Sequence, residues 1–114
     1  MKHVTIIISK SPFSSVLASE ALRMSVGMII MNNKLRLILS EEGVYNLNVT
    51  NHAIIQGPEV TRHLHTLQEF GCEIIAEQEA VDAGNIKDFS VSVLLKNRQE
   101  ISQLLTESDY VIGI

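Results

Sequence analysis

The sequence predicts an α/β fold, built as a five-stranded, mostly parallel sheet with helices on both faces. Two observations point there. Five short β-type runs alternate with helical patterns along the 114 residues, and alternation of this kind implies right-handed crossovers and a parallel sheet. The first run, VTIII at 4–8, is continuous and β-branched, as expected for a central strand buried on both faces. The length suits one domain, 1–114, with a modest core and no second domain.

After the first strand, SKSPFSS is a loop rich in helix N-cap candidates, stiffened by Pro12. A helix is expected from about Ser15 to Met31. Leu17, Ala21, Met24, Met28 and Met31 share one of its faces, a stripe suited to core or interface packing. Asn32 and Asn33 stop it. LRLIL (35–39) is the second strand, and SEEGVYNLN the loop behind it, where Gly43 can supply a positive φ. Pro58 stands near the first turn of the next helix, which runs to about Phe70 with Val60, Leu64, Leu67 and His63 inward. CEIIA (72–76) is strand three, and EQEAVDAGN a short helix or turn closed by Gly84-Asn85. FSVSVLL (89–95) is strand four, a polar helix covers Arg98 to Ser108, and YVIGI (110–114) is strand five. Ligands of such sheets sit beyond the C-terminal strand ends, here Ser9–Ser15, Ser40–Asn48 and Glu77–Glu79.

Composition narrows the function classes. Apolar residues form 46% and charged residues 19% of the chain, which suits a folded protein and not a disordered one. The net charge of −4, with no basic block, argues against a nucleic-acid or anionic-membrane surface. The apolar run near the N-terminus is too short for a signal peptide, and Met24 to Met31 is too short to span a bilayer. A cytoplasmic protein is expected. One cysteine forms no internal disulfide. A mean hydropathy of +0.19 suggests apolar surface used for assembly.

Few residues carry recognisable chemistry. Cys72 opens strand three, at the end away from the expected site and with no cation beside it in sequence, so it reads as a core residue. Glu73, Glu77, Glu79 and Asp82 form an acidic cluster. Glu77 and Glu79 fall where a strand gives way to a helix, which suits capping better than general acid catalysis. His63 and His65 are two apart on a helix and point to different sides. No metal-ligand spacing is present, and no cofactor is expected. No G-x-S-x-G elbow or G-x-G-x-x-G loop appears. The SKSPFSS loop can still offer backbone N–H groups to an anion.

The segment EEGVYNLN resembles the second loop of the DsrE/DsrF/TusCD family of sulfur-relay proteins. The likeness extends over essentially the whole chain. VTIIISKSPFSS resembles the family's first strand and proline-bearing loop, EFGCEIIAEQEAVDAGNI its cysteine-delivering segment, and ESDYVIGI its closing strand. The resemblance implies a three-layer, flavodoxin-like domain. In persulfide-carrying members the cysteine lies six residues after the glycine that opens the strand. Counting six from Gly71 reaches Glu77, and eight further is Asn85, next to Gly84. Cys72 takes the place of an ordinary apolar residue.

A persulfide carrier needs a thiolate to attack a donor persulfide. A carboxylate cannot accept sulfur. The resemblance therefore implies a non-catalytic subunit, of the cysteine-lacking DsrF/TusC type, assembled with a cysteine-bearing DsrE/TusD-type paralogue. The alternative is a homo-oligomeric module that binds a small molecule or anion in a pocket lined by Ser11, Pro12, Ser14, Gly43, Tyr45, Glu77, Gln78 and Glu79. Acid–base catalysis by Glu77 and Glu79 is a third reading, without an identifiable substrate.

Overall fold

The computed structural model describes residues 3–9, 17–30, 34–47, 58–84, 86, 89 and 91–114. Its elements are β1 (His3–Ile8), α1 (Leu17–Ile30), β2 (Lys34–Leu39), a 3₁₀ helix (Glu41–Leu47), α2 (Pro58–Glu69), β3 (Glu73–Glu77), α3 (Gln78–Gly84), β4 (Leu94–Lys96), α4 (Arg98–Glu107) and β5 (Tyr110–Gly113). The strand order is β4-β3-β2-β1-β5. Every pairing is parallel, so the expected three-layer α/β class is what the chain adopts.

Period-two alternation assigns each strand residue to a layer. Val4, Ile6, Ile8, Leu35, Leu37, Leu39, Ile74 and Ala76 pack with Ala21 and Leu22 of α1 and Leu64 and Leu67 of α2. On the opposite face Ile38 and Ile75 pack with Ile101 of α4, and Ile7, Leu104 and Leu105 lie against them. The polar residues of this second face are partly satisfied, the Arg36 Nε being buried without a hydrogen-bond partner. Thr5 and Ser108 share a hydrogen bond between their hydroxyls, and Arg36 lies 3.9 Å from Glu73.

Several boundaries differ from the sequence reading. The α1 stripe is rotated: Ala21, Leu22 and Ser25 are buried, while Met24 is 42% exposed and so is not a core residue. Ser25 fits inside because its hydroxyl donates to the Ala21 carbonyl at 2.8 Å. The side chains of Leu17, Met28, Met31 and Val60 lie outside the described residues. Strand four is Leu94–Lys96 and not 89–95, because in the parallel register with Leu94 opposite Ile75 the positions of Phe89 and Val91 fall before β3 begins at Glu73. The Ser92 carbonyl accepts from the Gln68 side chain of α2 instead. The segment after β2 is not an open loop but the 3₁₀ helix.

Two glycines set the geometry of the chain. Gly71 has φ 87 and ends α2 in a Schellman motif. Its N–H donates to Gln68 O at 3.1 Å, and that of Cys72 donates to Leu67 O at 3.0 Å. Gly43 does not use the positive φ expected of it. The left-handed residue of that segment is Glu41, at φ 50. Gly43 is required by crowding, since a Cβ there would lie 1.9 Å from Ile8 O.

Gly43→Ala is expected to cost about 3 kcal/mol or more in denaturant unfolding, because backbone must move to admit the methyl. Gly27→Ala, on the exposed side of α1 with nothing within 4 Å, is expected to stabilise by up to about 1 kcal/mol through helix propensity. Equal effects from the two changes would refute this account of the β1–3₁₀ contact.

Candidate functional site

From β1 the chain moves across the sheet to β4, then returns through α4 to place β5 on the other side of β1. That reversal creates a crevice beyond the C-terminal strand ends, where ligands of parallel sheets sit. An open pocket of ≈ 320 Å³ lies there, lined by Ile7, Ser9, Ser40, Glu41, Gly113 and Ile114. Its walls are held by backbone bonds. Ser9 N–H and Oγ both donate to Ile114 O, at 3.0 and 2.9 Å, and Ser40 N–H donates to Ile8 O at 3.0 Å.

Glu77 ends β3 on the α4 side and is 6% exposed. A carboxylate so buried needs compensating partners, and two elements supply them. Its Oε1 lies 3.4 Å from the backbone N of Glu41, and its Oε2 lies 3.5 Å from Nε of Arg98. Arg98 is the first residue of α4, brought there by the capping box of Asn97 and Glu100. Glu79 takes part as well: its Oε2 accepts from Arg98 N at 3.2 Å, satisfying a donor that the helix leaves unpaired. Glu77 and Glu79 thus converge on one arginine.

The remaining candidate residues have local roles. Gln78 donates to Asp82 at 2.9 Å along α3. Tyr45 lies against Gly84, where a Cβ would come within 3.2 Å of its hydroxyl. Gly43 is closed against β1. Ser11, Pro12 and Ser14 lie outside the described residues, as does Asn85. Sequence reasoning missed Arg98 as a site residue. The available signal was a cation at the start of the helix that follows β4. Ser40 and Glu41 were in the expected strand-end region but were not singled out.

Cys72 lies at the opposite end of β3, buried between α2 and the sheet. Burial pushes its thiol up to about 12. A backbone hydrogen bond from Leu37 opposes that rise, and the nearby Glu73 charge adds to it. No thiolate forms there near neutrality. Among the described residues, no group of three or more His, Cys, Asp or Glu side chains could hold a metal ion. No helix among them is long and apolar enough to cross a membrane.

The model of the DsrE/DsrF-like family matches residues 2–113. The chain belongs to that family. Solved structures similar to it include the YchN protein from E. coli, with TM-score 0.88 and 19% identity over 100% of both chains. MTH1491 from Methanobacterium thermoautotrophicum, a protein of unknown function, has TM-score 0.75 and 15% identity, again over 100% of both chains. BT1422 from Bacteroides thetaiotaomicron, a conserved protein of unknown function, has TM-score 0.73 and 12% identity over 99% of this chain and 95% of its own. At such identities the likeness is one of fold. Among curated proteins nothing matches the chain.

The placement of Cys72 has a measurable consequence. At pH 8 its thiolate population is expected to be about a thousandfold below that of an ordinary thiol. Labelling by a disulfide reagent should therefore wait for unfolding. The thiol stays protonated in the fold while the unfolded chain ionises from about 9. The stability this contributes is full below that pH and is lost as pH rises toward 12. Cys72→Ala should show a shallower loss of stability above pH 9. Rapid stoichiometric labelling of the folded protein would contradict the placement.

Proposed function

We propose that this chain is a non-catalytic subunit of a sulfur-relay complex, one in which a carboxylate stands where cysteine-bearing relatives carry the persulfide. The carrying observation is Glu77 itself. It sits six residues past Gly71, at the C-terminal end of β3, buried and facing Arg98 and the Glu41 N–H. The cysteine that is present lies at the other end of the strand with its thiol buried. Membership of the DsrE/DsrF-like family supports the relay context.

Relay chemistry needs a thiolate that attacks the outer sulfur of a donor persulfide. A new S–S bond forms, and the donor leaves as its thiolate. Glu77 has no such reactivity, so the chain has no sulfurtransferase activity alone. Its role is to complete an assembly with a cysteine-bearing partner of the DsrE/TusD type. Exposed Leu94 and Leu95 on edge strand β4, and exposed Tyr110 and Val111 on edge strand β5, support an oligomer. A cytoplasmic location accords with this role.

A second reading, a homo-oligomeric binding module for a small molecule or anion, is favoured by the pocket beside Ser9, Ser40 and Glu41. One experiment separates the two. Native protein and Glu77→Cys are treated with a persulfide donor and weighed intact. The relay reading expects no sulfur on the native chain and one added sulfur at position 77 of the variant, where Arg98 and the Glu41 N–H stabilise a thiolate. A sulfur adduct on native Cys72, or an inert thiol in Glu77→Cys, would overturn it.

A further inference from the structure

On the α4 side of the sheet a single helix crosses from one edge to the other. α4 starts beside Glu77, at the end of β3, and finishes with Ser108 beside Thr5, near the start of β1. It therefore crosses this face on a diagonal and leaves the C-terminal ends of β1 and β5 uncovered. The open cavity of ≈ 320 Å³ beside Ile7, Ser9, Ser40, Glu41, Gly113 and Ile114 lies in that gap. Gly113 is opposite Ile7 in the register. A Cβ on it would stand 3.7 Å from Ile7 Cγ2, an ordinary contact with no backbone in the way. The missing side chain keeps the space open.

Ser40 marks the cavity as more than a gap in packing. It is a polar residue only 6% exposed. Its N–H donates to Ile8 O, and its carbonyl accepts from Gly43 N–H. Its hydroxyl has no partner among the described residues and opens into the cavity. Buried polar groups are normally hydrogen-bonded, so this one calls for a partner from outside. The other polar groups define its chemistry. Ser9 commits its hydroxyl proton to Ile114 O, which leaves its oxygen as an acceptor. Glu41 adds an exposed carboxylate. No lysine, arginine or histidine among the described residues lines the cavity. The lining thus presents acceptors and a negative charge beside the apolar Ile7 and Ile114.

We propose that this cavity binds a primary alkylammonium group. Its N–H donors are shared among Ser9 Oγ, Ser40 Oγ and the Glu41 carboxylate, and its carbon chain lies on Ile7 and Ile114. The proposal deepens the binding-module reading, on which it rests, by naming a cation where that reading allowed an anion. A chain of net charge −4 attracts such a ligand at long range. The same group ends a small free amine and a lysine side chain, and the test separates the two.

The test follows the amide resonances of Ser40 and Gly113 while the full native chain is titrated at constant ionic strength. The probes are butylammonium chloride, sodium butyrate and a terminally blocked Gly-Lys-Gly peptide. Butylammonium is expected to shift these resonances saturably, with a midpoint of about millimolar for so small a ligand, and butyrate to leave them unchanged. Glu41→Gln should weaken binding about tenfold, the scale of one charge-assisted hydrogen bond. Gly113→Val, which puts a side chain into the cavity, should abolish it. Ser40→Ala, which keeps both backbone bonds, should weaken it several-fold and serves if the valine unfolds the chain. A peptide that binds more tightly than butylammonium assigns the group to a lysine of another protein, and one that binds more weakly assigns it to a free amine. Shifts that do not saturate, or that persist unweakened in these variants, would overturn the proposal. If butyrate binds and butylammonium does not, the amine is wrong and the binding-module reading stands. If neither binds, both fall.

Discussion

Gly71 and Glu77 pin β3 at its two ends, and the alternation between them decides which side chain meets which layer. The left-handed turn at Gly71 stops α2 and delivers Cys72 into the α1–α2 layer. From there Ile74 and Ala76 face the same way, while Ile75 and Glu77 face α4. A slip of one residue would carry Glu77 into the apolar α1–α2 layer, away from its donors, a large cost against the marginal stability of a domain this size. The register therefore fixes the thiol and the carboxylate at opposite ends of one strand and in different layers.

What surrounds Glu77 follows from burying a charge. A carboxylate removed from water destabilises the fold unless donors replace the water. The chain supplies them from segments far apart in sequence: the start of the 3₁₀ helix after β2, and the start of α4 after β4. Close contact between Gly43 and Ile8 holds the first in place, and the Asn97–Glu100 capping box holds the second. In the proposed reading, the Glu77 carboxylate that these donors hold is the reason this corner does not carry sulfur.

Local physics explains how much of this was legible beforehand. The β1 and β2 runs and the Leu64–Leu67 face of α2 were readable because periodicity and β-branching reflect burial directly. The alternation in FSVSVLL also suggested a strand. It overreached because strand length depends on the neighbour: in the parallel register with Leu94 opposite Ile75, Phe89 and Val91 would fall opposite Phe70 and Cys72, before β3 begins. In α1 the expected apolar face included Met24, which is exposed, whereas the core took Leu22 and a serine able to bond its own helix. Gly43 was rightly singled out as special, but for the wrong reason. Its constraint is contact with a strand 35 residues earlier, which no local pattern records. Arg98 was missed for the same reason, since its pairing with Glu77 is tertiary. Counting from Gly71 put Glu77 at a strand end, and it is the last residue of β3, because a short strand between a helix stop and a helix start leaves little freedom of length.

The central claim is that Glu77 and Arg98 act as a coupled pair across the β3–α4 corner. A double-mutant cycle with Glu77→Gln, Arg98→Gln and their combination, read by denaturant unfolding at low and moderate salt, tests it directly. The expected coupling is about 1 kcal/mol, kept modest by the exposure of Arg98 and reduced by salt. Stability effects that add to within about 0.3 kcal/mol would show that the two side chains are neighbours without being partners, and would contradict the account.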